Sequence, residues 1–375
     1  MIYLDHASTT PLDGEVLKKM LPYFGEQYAN PASQYSAGRA ASVAVLSSRD
    51  KTAKILGCKS EEVYFVSGGT EAGTWALKGA CTAQTDSGRH IVISAIEHPA
   101  LIESARDLQK FGYEVTFVNP DADGIISPQS IKNAIRSDTV FCAVMHANNE
   151  TGVIQPVEEI GAICKDSGVF YYCDCVQTAG ALSFPTNCCD ALGISAHKFY
   201  GPKGIGAIYI NSNAKISRLI SGGKQERGLR GGTVNTPGIV GLSKALEIAV
   251  EEMHKNNAKI CALRDVFVNR VLAEIDGTSL NGGRCRLPSN ANISFKGCDG
   301  ENILFLLDIN GIAVSTGSAC SAGAVTESHV LKAMGLDSPR VKSAVRFTFG
   351  KNNTREEVDQ TVEILKDVVK KIRGC

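Results

Sequence analysis

The stretch Ala191-Leu-Gly-Ile-Ser-Ala-His-Lys198 is a short apolar run that ends in a lysine, and the glycine-rich turn Phe199-Tyr-Gly-Pro-Lys-Gly-Ile-Gly206 follows at once. The run has the length of a buried strand. Burying an ammonium costs several kcal/mol or lowers its pKa. Lys198 therefore reads in two ways. It is a strand-end lysine that snorkels to solvent, or an amine lowered in pKa so that it can condense with an aldehyde.

Working outward, similar β-rich runs occur at Val63–Val66, His90–Ile96, Tyr113–Val118, Thr139–His146, Val169–Cys175 and Ile205–Ile210, with Leu192–Ala196 among them. Helical patterns separate most of them, over Glu71–Cys81, Ala100–Phe111, Ser127–Ile135 and Val157–Ser167. Such alternation predicts an α/β fold: a mostly parallel seven-stranded sheet with helices on both faces. Ligands of such sheets bind at the carboxyl ends of the strands. A helix is expected before the sheet, from about Gly38 to Leu56, with Val43, Val45, Leu46 and Ile55 as its apolar positions. After Ile210 the alternation stops. The polar glycine-rich loop Ser221-Gly-Gly-Lys-Gln-Glu-Arg-Gly-Leu-Arg-Gly-Gly232 leads to a long helical pattern, about Pro237 to Ile275, interrupted near His254–Asn257. The remainder reads as a smaller α/β unit with strands near Ala291–Phe295, Ile312–Ser315 and Val345–Phe349 and a last helix over Thr354–Ile372. At 375 residues two domains are expected. The division is an N-terminal segment 1–14 packing with the small domain, a large domain 15–255 and a small C-terminal domain 256–375.

Lys+Arg and Asp+Glu balance at 39 each, which gives no electrostatic ground for nucleic acid or an anionic membrane as partner. No apolar run reaches the roughly 18 residues of a membrane span, and the start lacks the pattern of a signal peptide. A cytoplasmic protein is expected. The 13 cysteines are an odd number, mostly within apolar segments, and read as reduced thiols. Cys173, Cys175, Cys188 and Cys189 lack the C-x₂₋₄-C spacing of thiolate metal sites, so no metal is expected.

Four strand ends carry polar residues. Ser67-Gly-Gly-Thr70 lies between a strand and a helix, where backbone N–H groups can meet an anion; an ordinary capped turn looks the same. His98, in Glu97-His-Pro99, either caps a helix or stacks on a ring and moves protons. In His146-Ala-Asn-Asn-Glu-Thr-Gly152, Asn148 and Asn149 either reach a ligand oxygen or make an Asx-turn. Asp174 ends the run Tyr171-Tyr-Cys-Asp174, and a carboxylate buried there needs a cation, for which a pyridinium nitrogen serves. Alternation sends Cys173 and Cys175 to the opposite face. A Schiff-base lysine, an acidic ring partner and an anion cradle are together what pyridoxal 5'-phosphate (PLP) requires. Two residues of the smaller unit add to the set. Cys320, in Ser315-Thr-Gly-Ser-Ala-Cys320-Ser-Ala-Gly323, is flanked by small residues and reads as an exposed loop thiol able to act as a nucleophile. Arg346, alternating with apolar neighbours in Val345-Arg-Phe-Thr-Phe349, suits capture of a substrate carboxylate or a structural ion pair.

With these residues assembled, the sequence resembles the cysteine desulfurases of the NifS/IscS type, within the class-V aminotransferases. The most specific matches are Ser195-Ala-His-Lys198-Phe-Tyr-Gly-Pro-Lys-Gly204, Arg227-Gly-Leu-Arg-Gly-Gly-Thr233 and Ser315-Thr-Gly-Ser-Ala-Cys320. The likeness runs from Tyr3-Leu-Asp-His-Ala-Ser-Thr-Thr-Pro11 to Val345-Arg-Phe349. It implies a fold-type I PLP enzyme, usually a homodimer, that converts L-cysteine to L-alanine and holds the sulfur as a persulfide on Cys320. An acceptor protein then takes the sulfur for iron–sulfur cluster assembly or for tRNA or cofactor thiolation. The resemblance gives Lys198 the Schiff base, His98 the ring face and Asp174 the pyridine nitrogen. Gln177 and Asn149 approach the phenolic oxygen or nearby atoms. Gly69, Thr70, Ser195 and His197 bind phosphate, joined by Thr233 of the other subunit. Arg346 and Asn30 hold the substrate carboxylate. The chain departs from the family pattern at Gly73-Thr74, at Tyr35 and at Lys224. A selenocysteine lyase, another PLP-dependent C–S lyase and a non-catalytic scaffold are the rival readings. Retention of Lys198, Asp174, His98 and Cys320 argues against the scaffold.

Overall fold

The computed structural model describes residues 1–316 and 327–374, so Cys320 lies outside the described residues. In chain order the strands are β1 (Ile2–Tyr3), β2 (Val63–Val66), β3 (His90–Ser94), β4 (Glu114–Val118), β5 (Thr139–Ala143), β6 (Phe170–Asp174), β7 (Ala191–Ser195), β8 (Gly206–Ile210), β9 (Thr278–Leu280), β10 (Asn290–Phe295), β11 (Ile312–Ala313) and β12 (Ala344–Thr348).

Strands β2 to β8 form one seven-stranded sheet in the order β2-β8-β7-β6-β5-β3-β4. Neighbours from β4 across to β7 run parallel, and β8 runs antiparallel to both β7 and β2. Parallel neighbours need crossovers, and the helices Pro99–Gln109, Pro128–Ala134 and Val157–Asp166 supply them. The strands are apolar on both faces because helices cover both. Along β6, Phe170 and Tyr172 pack with Trp75 and Leu101 on one side. Tyr171, Cys173 and, just past the strand, Cys175 pack with Ile160 and Leu192 on the other. This period of two puts Asp174 on the side away from the thiols, as the alternation predicts.

A second group of elements has its own core. Strands β12, β10 and β9 form an antiparallel sheet. Phe267, Phe295, Phe347 and Leu365 pack beneath it together with Ile2 and Leu4 of the N-terminal segment. That segment is stitched in by β1, which pairs parallel with β11, and by a bridge from Asp5 to Thr348. Helices Met253–Glu274 and Arg355–Arg373 cover the group. No helix among the described residues is long and apolar enough to cross a membrane.

Three local expectations change. The long helical pattern breaks at Glu252, between helices Thr236–Glu251 and Met253–Glu274, slightly before the polar run that suggested the break. The ladder expected over Ile312–Ser315 is only Ile312–Ala313, after which Ser315 bridges to Arg346. In helix Ser36–Leu56, Val43 and Leu46 are exposed. Its buried face is instead Ala41, Val45, Thr52, Ala53 and Leu56, because small residues let the helix lie close to the helix Thr236–Glu251.

Candidate active site

The carboxyl ends of β3, β6 and β7 open onto a cavity of about 320 Å³. Lys198 reaches it from a single turn, Ala196–Lys198, directly after β7. Its Nζ donates to the carbonyls of Ala7 (2.5 Å) and Ser8 (2.9 Å). Burial, helped by the Arg346 guanidinium, lowers its pKa to about 8, against the opposing charges of Asp5 and Asp174. Near physiological pH a minority of the amine is therefore neutral, far more than for an exposed lysine, and that fraction is the nucleophile.

Asp174 sits at the end of β6 and accepts from the Val176 N–H at 2.8 Å. Burial pushes its pKa up to about 7. The one cation that acts on it among the described residues is Lys198, whose hydrogen bonds go to the two carbonyls. A partly buried carboxylate so poorly compensated is costly by itself, and it fits a ring nitrogen that carries a proton.

His98 is the N-cap of helix Pro99–Gln109; its Nδ1 accepts from the Ala100 N–H at 3.1 Å. That bond leaves the proton of the neutral ring on Nε2. The residue is exposed, and its ring lines the cavity. Desolvation by the surrounding protein, with Lys198 and His329 nearby, lowers its pKa, which favours the neutral ring that can lie against an aromatic cofactor. His197 is also held neutral, its pKa lowered to about 4 by burial and by Lys198 and Lys203. Its Nδ1 lies 3.1 Å from Thr9 Oγ1.

The anion end is built from small residues. Helix Gly69–Ala83 begins at the cavity, so its free N–H groups face it. A Cβ on Gly69 would stand 2.6 Å from Val176 Cγ2, so no larger residue fits this turn. Thr70, Ser195 and His197 line the same end. Glu71, one residue on, turns away to Arg230 and the Ser67 N–H. The donor set and the uncompensated Asp174 fit PLP.

Arg346, on β12, closes the far wall. It is 3% exposed. Nη1 donates to the Asn149 carbonyl at 2.8 Å, and Nη2 donates to Asp5 Oδ1 at 2.9 Å and Ser8 Oγ at 2.8 Å.

The structure thus brings Lys198, His98, Asp174, Gln177, Asn149 and Arg346 together with Gly69, Thr70, Ser195 and His197. It does not bring in two residues expected there. Asn30 is exposed and accepts from the Ala32 N–H at 2.9 Å, an Asx turn outside the cavity. Thr233 is likewise exposed and away from it. Of the departures, a Cβ at Gly73 would make only ordinary contacts, 3.5 Å from Leu101 Cδ1 and from the Tyr172 hydroxyl, and Thr74 Oγ1 lies 3.0 Å from Ser104 Oγ. Tyr35 and Lys224 are exposed.

Two participants escaped the reading of the sequence. The first is the N-terminal segment Asp5–Ser8, whose only local signal is a polar turn-rich composition. The second is Glu97, fully buried and pushed up to about 8 by burial. It accepts from Ser94 Oγ (2.6 Å) and the Met145 N–H (2.7 Å), tying β3 to the end of β5.

Comparison with known proteins agrees with this geometry. The aminotransferase class-V family profile matches residues 2–361. Cysteine desulfurase IscS of Dictyoglomus turgidum is 43% identical over 377 residues, covering 99% of this chain and 95% of the relative. That of Methanosarcina thermophila is 42% identical over 376 residues, covering 100% and 93%. A solved NifS-like protein superposes with a TM-score of 0.92 at 35% identity, over 98% of this chain and 99% of that one. A structure of SspA in complex with cysteine gives 0.83 at 32% identity, over 94% and 100%. The chain belongs to the class-V aminotransferase family and, within it, to the cysteine desulfurases.

Proposed function

We propose that this chain is a PLP-dependent cysteine desulfurase: it converts L-cysteine to L-alanine and carries the sulfur as a persulfide on Cys320. The observation that carries the reading is one cavity in which a desolvated lysine, a partly buried carboxylate with little compensation and a buried arginine converge. Similarity to enzymes named for desulfuration of cysteine supports the substrate. When bound, PLP supplies an electrophilic aldehyde and an electron sink for charge developing at the substrate Cα.

Each residue has a part set by its own chemistry. Lys198 presents a neutral amine and moves the Cα proton. Asp174 stays ionised against the ring nitrogen. His98 presents a neutral face and an Nε2 proton, while Gln177 and Asn149 orient the ring oxygen. Gly69, Thr70, Ser195 and His197 hold the phosphate, with Thr233 of a second subunit completing the cradle in a homodimer. Arg346 grips the substrate carboxylate through charge-assisted hydrogen bonds. Cys320 receives the sulfur and passes it to a protein acceptor in the cytoplasm.

The test separates cofactor from sulfur chemistry. Cys320→Ala keeps the visible absorbance of bound PLP and its spectral response to L-cysteine, yet forms no persulfide and no alanine above background. Lys198→Ala loses the absorbance of the lysine-bound cofactor. Normal desulfuration by Cys320→Ala overturns the assignment of the nucleophile.

A further inference from the structure

A guanidinium grips a carboxylate side-on through Nε and Nη2. In Arg346 that edge is in an unusual state. Nε is buried with no acceptor among the described residues, while Nη2 is taken by Asp5 and Ser8. Asp5 meets only one of the two donors, and its Oδ1 also accepts from Ser8 Oγ at 2.9 Å. An unpaired buried N–H is costly, and a carboxylate on both donors would satisfy it.

Asp5 is the carboxylate in ion-pair contact with Arg346. A second carboxylate near Arg346, Glu150, is held toward its neutral form by burial and accepts from Ser328 Oγ. The segment that presents Asp5 also presents the carbonyls of Ala7 and Ser8 to Lys198 Nζ. Residues 5–8 thus hold the two cations that substrate must engage.

We propose that Asp5 is the resting counter-ion of Arg346, a positioning residue that occupies the substrate-carboxylate subsite until the substrate carboxylate displaces it. The proposal rests on the reading of Arg346 as the carboxylate clamp. No covalent change is involved; one carboxylate exchanges for another on the same guanidinium edge. Substrate then binds in competition with the enzyme's own side chain, and binding frees the segment that holds Lys198.

The test uses the holoenzyme of Asp5→Asn and acetate as probe, a carboxylate with no amine and no sulfur. Asparagine keeps the shape and an acceptor for Arg346 while removing the competing charge. Acetate binding is read from the change in bound-cofactor absorbance and from competitive inhibition against L-cysteine. Acetate binds Asp5→Asn about 3–10-fold more tightly than wild type; unchanged or weaker binding overturns the proposal. Should Asp5→Asn fail to retain cofactor, Ser8→Ala, which loosens Asp5 from the guanidinium, takes its place with the same direction of change and the same overturning result. Arg346→Gln separates the two levels. Acetate inhibition that survives undiminished in Arg346→Gln defeats the clamp reading itself, whereas its loss there with no gain in Asp5→Asn defeats only the role of Asp5.

Discussion

At the scale of single residues, pairs of readings that compete in the sequence prove compatible in space. His98 caps a helix with Nδ1 and faces the cavity with the rest of its ring. Asn148 makes the Asx turn, accepting from the N–H groups of Glu150 and Thr151, which leaves its neighbour Asn149 at the cavity. Arg346 makes an ion pair and lines the site. Asp174 carries a prediction about pH. Its pKa is raised from 3.8 to about 7 in the folded chain. The folded state therefore holds a proton that the unfolded state releases, and stability without cofactor falls as pH rises from about 4 to 7. Asp174→Asn without PLP is expected to be more stable than wild type at pH 8, by on the order of 2 kcal/mol, and to lose that advantage below pH 4. Urea melts at both pH values check this. The same variant loses most of its activity, about 100-fold or more, because charge on the ring nitrogen goes unsupported. Lys198 gives the converse case. Its pKa is lowered to about 8, so the rate at which the cofactor-free protein captures PLP rises with pH and levels off above about 8. Stopped-flow absorbance measures that profile, and a flat profile below pH 8 contradicts a lysine whose pKa is lowered to about 8.

At the scale of elements, the strands were legible because parallel β-runs buried on both faces leave continuous apolar stretches in the sequence. The strand ends were legible because polar residues terminate those runs. In helix Ser36–Leu56 the expected Val45 is buried, but Val43 and Leu46 are not, because much of the buried face is made by Ala41, Thr52 and Ala53, which no apolar stripe announces. The loop after β8 was legible only as glycine-rich. Its conformation depends on a tie across the chain: Glu226 accepts from Arg49 through both oxygens at 2.6 and 2.7 Å and from the Phe65 N–H at 2.9 Å. Glu226 and Arg227 both adopt positive φ, at 44° and 57°, a conformation that side chains disfavour. The tie holds them there. Glu226→Ala leaves Arg49 buried without its partner and is expected to cost about 3–5 kcal/mol. The double variant Arg49→Met with Glu226→Leu recovers a large part of that loss, by denaturant melts, because both charges are gone. At the phosphate end, Gly69→Ala drives a methyl against Val176. It weakens PLP binding about tenfold or more, measured by equilibrium titration, while the fold persists.

At the scale of the whole molecule, the exposed positions of Thr233 and Asn30 mark where one chain's residues stop accounting for the expected site. A residue supplied by a second copy leaves no trace in its own chain's cavity, which is why sequence resemblance alone pointed to Thr233. In the proposed homodimer, light scattering gives twice the 39.9 kDa chain mass. Mixing inactive Lys198→Ala chains with weakened Thr233→Ala chains raises specific activity above either alone, since some hybrid sites then carry neither defect; no rise counts against a shared phosphate cradle. The role of the N-terminal segment was illegible for a related reason. Its partners Lys198 and Arg346 lie 190 to 341 positions away in sequence, and no local pattern records so distant a pairing.

That distance also orders events during synthesis. Residues 2 and 3 pair with 312 and 313, and Asp5 meets Thr348 and Arg346. The strands bearing Asp174 and Lys198 leave the ribosome long before Arg346 does. Domains fold in the order they emerge, at about 5–20 residues per second, so the central sheet has many seconds in which to assemble while its reactive lysine lacks the wall that later covers it. A nascent chain can meet free cofactor in that interval, but it has no means of gripping an amino acid until nearly its last residues appear. Translation itself thus separates acquisition of the cofactor from the onset of catalysis.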